Sequence, residues 1–249
     1  MIKYVFKRGV KRLLSLGGYQ ITNKNLFGID ILVDIKTILS PSKKLVVFDV
    51  GANLGQTSSE LSGTFPISEI YSFEPDPMTY ADLVLQTKAF PEVKTFNIGF
   101  GHKKGRVQLN INKNSGGNSI LSMSDRINDL AFGEWTECIG TQEIEITTLN
   151  LFCQEKNIKH IDLVKLDTQG YEHRILEGGD RVIIPSFTKV VYIEVLFAEL
   201  YQDQSYFQDI YKILTERGFK LVGLYNKFHK IEPPHYLLWC DALFVSSSL

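Results

Sequence analysis

The sequence has only three cysteines, Cys138, Cys153 and Cys240, and no two of them form a Cys-x-x-Cys pair. This spacing excludes the usual zinc-ribbon and redox-dithiol motifs. We therefore expect buried free thiols and a reducing, cytoplasmic environment. The five histidines form no His-x-His or His-Glu-x-x-His pattern, so the sequence predicts no metal site.

Long apolar runs and an excess of one charge are also missing. No apolar run approaches the ~18 residues that indicate a membrane-spanning helix. The 27 basic and 28 acidic residues leave a net charge of −1, so we expect no nucleic-acid partner. A chain of 249 residues with 44% hydrophobic content suits one large domain, or one domain with a small extension.

The pattern predicts a helical extension over residues 1–42, followed by a domain over 43–249. Residues 1–16 alternate apolar and basic side chains at helical spacing, and a second helix is predicted near 30–39. The first helix has two interpretations: peripheral contact with a membrane surface, or packing on the domain with its lysines in solvent. The second is favoured, because most amphipathic helices of soluble chains face a core.

The first half of the domain alternates strand and helix. Apolar strands are predicted at 44–50, 70–75 and 93–99, with helices after Gly55 and over 78–89. Such a series is typical of an α/β fold, in which a mostly parallel sheet is flanked by helices. Further strands of this kind are predicted at 161–167, 190–195, 219–225 and 242–245, with helices over 151–157, 171–177 and 207–217.

Two strands of a different kind lie in the middle of the chain. Residues 106–111 and 144–149 alternate with period two, which predicts half-exposed strands, and we expect them to pair at a sheet edge. Between them, residues 112–142 form a long connection that begins rich in Gly, Ser and Asn. Such a segment is either functional or a variable surface insertion.

Acidic residues stand at the ends of four predicted strands: Asp49, Glu74, Asp167 and Glu194. The carboxyl ends of parallel strands share one edge, where α/β sheets bind ligands. Convergence of four acids there indicates a ligand site, although each acid alone could cap the following helix.

The loop after the first strand distinguishes between nucleotide ligands. A dinucleotide fingerprint requires Gly-x-Gly-x-x-Gly, but Asn53 and Gln56 stand where its second and third glycines belong after Gly51. The missing second glycine excludes close approach to a pyrophosphate. The Asp-x-Gly-x-Asn-x-Gly pattern suits a ligand that has both a ribose and a carboxylate. In such a ligand Glu74 would bind the ribose hydroxyls, and the loop amides would bind the carboxylate.

These motifs resemble those of class I S-adenosylmethionine-dependent methyltransferases and, more narrowly, of the FkbM family. The resemblance rests on residues 48–55 and 73–75, and on the Lys-Leu-Asp-Thr-Gln-Gly-Tyr-Glu run over 165–172. Residues 176–179, 193–195 and 241–245 follow in the family's order. At Gln169 many members carry Glu, which weakens any role that needs a carboxylate there.

The resemblance implies a Rossmann-like seven-stranded fold and S-adenosylmethionine as cofactor. Together with the residue pattern, it assigns six residues to cofactor binding: Asp49, Gly51, Asn53 and Gly55 at the methionine end, Glu74 at the ribose and Asn97 near the adenine. On the acceptor side, Asp167 is the expected base or orienting group, with Glu172 and Glu194 as further catalytic candidates. Asp167 could equally accept backbone N–H bonds at the start of the next helix.

The implied function is methyl transfer to a hydroxyl of a sugar, glycan or similar metabolite. His173 and His229 are alternative bases, and Trp135, Trp239 and Tyr201 are candidates for an acceptor pocket. A different class of function is a non-catalytic module that binds S-adenosylmethionine or a related nucleoside and is recruited through its basic N-terminal helix. A nicotinamide oxidoreductase is disfavoured by the loop spacing.

Overall fold

The computed structural model describes residues 27–40, 44–66, 68–130 and 137–249. The helix predicted for residues 1–16, and Trp135, lie outside these ranges. The described helices are α1 (Ile31–Leu39), α2 (Gln56–Thr64), α3 (Pro77–Thr87), α4 (Leu149–Glu155), α5 (Glu172–Glu177) and α6 (Phe207–Glu216). The strands are β1 (Leu45–Val50), β2 (Ser68–Phe73), β3 (Val93–Phe96), β4 (Gly99–Phe100), β5 (Gly105–Asn112), β6 (Cys138–Thr147), β7 (Ile161–Leu166), β8 (Thr188–Leu196), β9 (Phe219–His229) and β10 (Leu237–Ser246).

The main sheet has seven strands in the order β3-β2-β1-β7-β8-β10-β9. All neighbouring pairs are parallel except those of β10, which runs antiparallel to β8 and β9. The predicted mostly parallel seven-stranded sheet is therefore confirmed. The strand order reverses between β1 and β7, and in open α/β sheets a ligand crevice forms at the carboxyl ends of two such strands.

The core lies on both faces of this sheet. Along β1, Phe48 and Val50 pack into one buried cluster, whereas Leu45 and Val47 pack into the other. Helix α1 covers the second face and begins at Asp30, whose side chain accepts the backbone N–H groups of Leu32 and Val33. Burial on both faces explains why the central strands are continuous apolar runs.

A second, three-stranded sheet corrects the prediction for the middle of the chain. Strands β5 and β6 pair with each other, as expected, and run antiparallel, but they form a separate sheet in the order β4-β6-β5. The strand predicted at 93–99 ends at Phe96, and Gly99 begins β4, which pairs with β6. Strand β6 begins at Cys138, inside the connection predicted for 112–142, and its outer half is exposed.

The prediction of three buried thiols is wrong for Cys138, because that residue lies in the exposed half of β6. Cys153 and Cys240 are buried, and burial raises the pKa of each thiol to about 12. None of the helices in the described residues has the length and apolar character that crossing a bilayer requires.

Candidate active site at the carboxyl edge of β1 and β7

The loop after β1 is held against the loop after β7. Gly51 has a φ of +76°, and a Cβ atom there would lie 1.8 Å from the backbone oxygen of Asp167. Only glycine combines this left-handed backbone with so close an approach. The amides of Gly51 and Ala52 donate to the backbone oxygen of Phe73, which ties the loop to the end of β2 as well.

Glu74 follows β2 directly and organises the same loop. Its two carboxylate oxygens accept the backbone N–H groups of Asn53, at 3.0 Å, and Asp76, at 2.9 Å. Burial raises the pKa of Glu74 to about 7, although both hydrogen bonds favour the charged form. Asn97 supports this corner, because its side-chain amide donates to the backbone oxygens of Glu74 and Pro75.

A buried lysine joins β1 to β7. The Nζ atom of Lys165 lies 3.4 Å from Asp49 Oδ1, 3.2 Å from Asp167 Oδ2 and 3.3 Å from the backbone oxygen of Gly51. Burial alone would lower the pKa of Lys165, but the negative charges of Asp167 and Asp49 outweigh it and raise that pKa above its usual value. Asp49 also accepts a 2.6 Å hydrogen bond from Ser58 Oγ, so its carboxylate is held inside the protein.

The loop after β7 gathers the remaining acids around an amide. Gln169 Nε2 donates to Asp167 Oδ1 at 2.8 Å and to Glu194 Oε2 at 3.2 Å. Desolvation, followed by the charges of Asp167 and Glu172, raises the pKa of Glu194 well above its usual value. Glu172 is buried and accepts the backbone N–H and hydroxyl of Thr168, and burial raises its pKa to about 7.

Residues 114–121, which we call the covering loop, contact both the β1 loop and the β7 loop. Ser115 Oγ donates to Asn53 Oδ1 at 2.8 Å, and Ser119 Oγ donates to the backbone oxygen of Gln169, also at 2.8 Å. The early part of the predicted 112–142 connection therefore contacts the loops that follow β1 and β7.

A cavity of about 710 Å³, counting the space open to solvent, lies between these loops. Its apolar walls come from the ends of β1 and β2 and from the second sheet, and its polar walls come from the β1, β7 and covering loops. The lining includes Val50, Gly51, Asn53, Phe73, Glu74, Pro75, Ile98, Gly99, Phe100, Ser115, Gly116, Asn118, Ser119, Asp167, Thr168, Gln169 and Tyr171.

The structure brings some of the predicted site residues to this cavity and leaves others behind it. The cavity is lined by Gly51, Asn53, Glu74 and Asp167, but not by Asp49, Gly55, Asn97, Glu172 or Glu194. The second group supports the loops through the contacts given above, apart from Gly55, whose left-handed backbone begins α2. His173 is 3.5 Å from Glu177 within α5 and does not line the cavity.

Sequence reasoning assigned no role to three of the polar residues that hold the site together. Lys165 could have been singled out, because a lysine inside a buried apolar strand needs a counter-charge. Ser115 and Ser119 carry no such signal, since serines are common in any polar connection. In the described residues, no group of three or more His, Cys, Asp or Glu side chains could hold a metal ion.

The cavity suits the cofactor that the sequence motifs imply. Phe73, Ile98 and Phe100 contribute an apolar wall of the kind that an adenine ring requires. The Glu74 carboxylate is a ready acceptor for the two hydroxyls of a ribose, because each oxygen retains a lone pair after its backbone bond. The loop amides of Gly51, Ala52, Asn53 and Gly55 donate within the protein in this structure, and binding of the ligand's carboxylate by the loop stays a prediction.

Comparison with known proteins agrees with the geometry. The family model described as Methyltransferase FkbM domain matches residues 49–221. The 2-O-methyltransferase NoeI of Sinorhizobium fredii is 26% identical over 186 residues, which cover 73% of this chain and 75% of that protein. Methyltransferase 1 of Beauveria bassiana is 26% identical over 171 residues, covering 65% of this chain and 67% of that protein.

Among solved structures, a precorrin-6y C5,15-methyltransferase from Geobacter metallireducens aligns over 92% of this chain and 95% of its own, with a TM-score of 0.47 and 12% identity. The family model covers more than half of the sequence, including the β1 loop, Glu74 and the β7 loop. The protein therefore belongs to the FkbM family of S-adenosylmethionine-dependent methyltransferases.

Proposed function

We propose that the protein transfers a methyl group to a hydroxyl of a sugar, glycan or similar metabolite. The observation that carries this proposal is the position of Asp167. Its side chain is 34% exposed and lines the cavity, while Lys165 fixes one of its oxygens. A hydroxyl must lose its proton during attack, so a carboxylate at this place is a suitable base. The relative named 2-O-methyltransferase supports oxygen as the methyl acceptor.

In this proposal the donor half of the cavity binds and orients the cofactor. Glu74 takes the ribose hydroxyls, and Asn53 and Ser115 stand at the polar end. Gly51 keeps the space between the two loops free of a side chain. When bound, S-adenosylmethionine supplies a methyl group that is already activated, so the main task of the chain is alignment, which by proximity can contribute a large part of the rate.

The acceptor half begins at Asp167 and extends under the covering loop. Asp167 Oδ2 faces Lys165, and Oδ1 faces the Gln169 amide. This leaves the remaining lone pairs of the carboxylate for the acceptor hydroxyl. The proton that Asp167 receives can pass to solvent through its exposed part. Glu172 is less suited to this role, because it does not line the cavity and its carboxyl group accepts two hydrogen bonds from Thr168.

An acceptor panel tests the proposal. S-adenosylhomocysteine release is measured with methyl glycosides, glycosides whose 2-hydroxyl is blocked, an amine and an RNA oligomer. We expect turnover with the glycosides and none with the amine or the RNA oligomer. Asp167→Asn should lower turnover by ~10² or more and leave the affinity for S-adenosylhomocysteine within about twofold, since the donor half is unchanged.

Asp180→Asn serves as the matched control, because Asp180 is exposed and its side chain accepts a hydrogen bond from Asn150 at the surface. Methylation of the amine or the RNA, with every glycoside inert, would contradict the proposal. Binding of S-adenosylhomocysteine without turnover on any acceptor would instead favour a non-catalytic module.

A further inference from the structure

Gln169 holds two carboxylates from different strands at the edge of the cavity. Its Nε2 atom donates one hydrogen to Asp167, at the end of β7, and the other to Glu194 in β8. An amide nitrogen has two hydrogens, so this contact uses both. Gln169 itself sits in a strained left-handed conformation, with a φ of +56°. Backbone strain of this kind persists where surrounding contacts over-determine it.

The orientation of that amide depends on a third residue. Tyr201 Oη donates to Gln169 Oε1 at 2.7 Å. If the amide rotated by half a turn, its oxygen would face two carboxylates, and the Tyr201 hydroxyl would lose its 2.7 Å acceptor and retain only the backbone oxygen of Gly117, at 3.4 Å. The two carboxylates and the hydroxyl of Tyr201 therefore act together to keep the N–H groups directed at Asp167 and Glu194.

Tyr201 is itself rigidly placed. Its side chain is 3% exposed and packs on Gly170, where an added Cβ would lie 3.3 Å from the ring. The side chain of Gln204 accepts the backbone N–H groups of Leu200 and Tyr201, each at 2.8 Å, and donates to the backbone oxygen of Ala198. A series of hydrogen bonds thus runs from a fixed loop, through Tyr201 and Gln169, to the acceptor side of the cavity.

We infer that Tyr201 is a positioning residue that acts through the Gln169 amide to fix the Asp167 carboxylate towards the methyl acceptor. This inference rests on the proposed role of Asp167. Tyr201 does not line the cavity, so it acts without touching either substrate. Removal of its hydroxyl leaves Gln169 Oε1 without its donor, so the amide, and through it Asp167 Oδ1, is held less firmly, while Lys165 still holds Oδ2.

The experiment compares Tyr201→Phe with Tyr225→Phe. Tyr225 is also 3% exposed, and its hydroxyl donates to buried Asp34 at 2.8 Å on the other face of the sheet. Each variant therefore loses one short buried hydroxyl contact, and Tyr201→Phe also loses a 3.4 Å contact with the backbone oxygen of Gly117. With the methyl glycoside that the wild-type enzyme methylates fastest, we expect Tyr201→Phe to lower kcat about tenfold. Tyr225→Phe should leave kcat within about twofold. In both variants the Kd for S-adenosylhomocysteine should be unchanged.

A double-mutant cycle identifies the route of the effect. In a Gln169→Ala background, Tyr201→Phe should cause no further loss of kcat, because the hydroxyl acts only through the amide. A second measurement needs no methyl acceptor. NMR of ¹⁵N-glutamine-labelled protein follows hydrogen exchange of the Gln169 side-chain NH₂. We expect this exchange to be faster in Tyr201→Phe and unchanged in Tyr225→Phe.

Four results would overturn the inference: unchanged kcat in Tyr201→Phe, an equal loss in Tyr225→Phe, a full tenfold loss in the Gln169→Ala background, or unchanged exchange of the Gln169 amide. Failure of the proposed function has a different signature. In that case Asp167→Asn retains turnover, or the wild-type enzyme methylates no hydroxyl.

Discussion

Binding of the cofactor is expected to depend on pH through Glu74. Burial raises the pKa of this carboxyl from 4.5 to about 7, so near neutral pH the ligand-free site holds a mixture of the protonated and ionised forms. Two ribose hydroxyls donate to the ionised form and favour it. At pH 6, about one unit below the pKa, roughly a tenth of the sites are ionised, which costs ~1.4 kcal/mol of binding free energy. Affinity for S-adenosylhomocysteine should therefore be about tenfold weaker at pH 6 than at pH 8.

Isothermal titration between pH 5.5 and 8, in two buffers of different ionisation enthalpy, measures this linkage. The sign follows from the raised pKa: binding selects the ionised carboxylate, so a proton is released below pH 7 and affinity reaches a plateau above it. About 0.9 proton per ligand should be released at pH 6. Glu74→Gln should remove the pH dependence and weaken binding at pH 8 about tenfold or more, because a side-chain amide cannot accept from both Asn53 and Asp76.

Asp241→Asn is the matched control for this titration. Burial raises the pKa of Asp241 to about 6, so this group titrates in the same range, but it does not line the cavity. Its replacement should leave proton release unchanged. The reasoning is refuted if the pH dependence persists in Glu74→Gln, or if wild-type affinity is the same at pH 6 and pH 8.

Three further predictions concern stability and reactivity. Gly218→Ala, at a φ of +90° with no neighbour closer than 3.1 Å, should lower the free energy of unfolding by ~1–2 kcal/mol. Gly51→Ala should cost clearly more in urea unfolding and also weaken S-adenosylhomocysteine binding, since its Cβ would collide with Asp167; equal losses would contradict the close approach. Lys165→Met should lower the free energy of unfolding by ~3–5 kcal/mol, because it leaves a buried carboxylate unpaired. Lys104→Met, at an exposed ion pair, should lower it by less than ~1 kcal/mol. Similar losses in the two variants would count against a buried charge network. A thiol reagent should label one cysteine of the native protein and none in Cys138→Ser, and labelling of the variant would show that a buried thiol is accessible.

Much of the main sheet could be predicted, because strands that are buried on both faces appear in the sequence as continuous apolar runs. Val47 and Phe48 are both fully buried, on opposite faces, and a strand buried on both sides is predominantly apolar. The second sheet has no such runs. The alternation around Leu109 and Ile144 identifies half-exposed strands, but period two does not say which sheet a strand joins, so the separate sheet with β4 was missed.

In the site, too, features that are local in sequence could be predicted and those that are not local could not. Strand ends and glycine spacing are local in sequence, so Gly51 and Glu74 could be placed at one edge of the sheet. The direction of a side chain near a strand end is not local: Asp49 precedes the loop by two residues, yet Lys165 and Ser58 hold it behind the cavity. The contact between Gln169 and Tyr201 joins residues 32 positions apart in loops without periodicity, and no sequence pattern indicates it.

The covering loop has a consequence for protein engineering. Ser115 contacts the β1 loop and Ser119 contacts the β7 loop, and only four positions separate them. If the β1 loop holds the cofactor and the β7 loop the acceptor, as proposed, a substitution in the covering loop that enlarges the acceptor space will also alter how the cofactor is held. Libraries that aim to broaden acceptor range by randomising residues 115–120 should therefore yield many variants whose limiting defect is cofactor retention. Selection at saturating S-adenosylmethionine would recover variants that selection at low cofactor concentration discards.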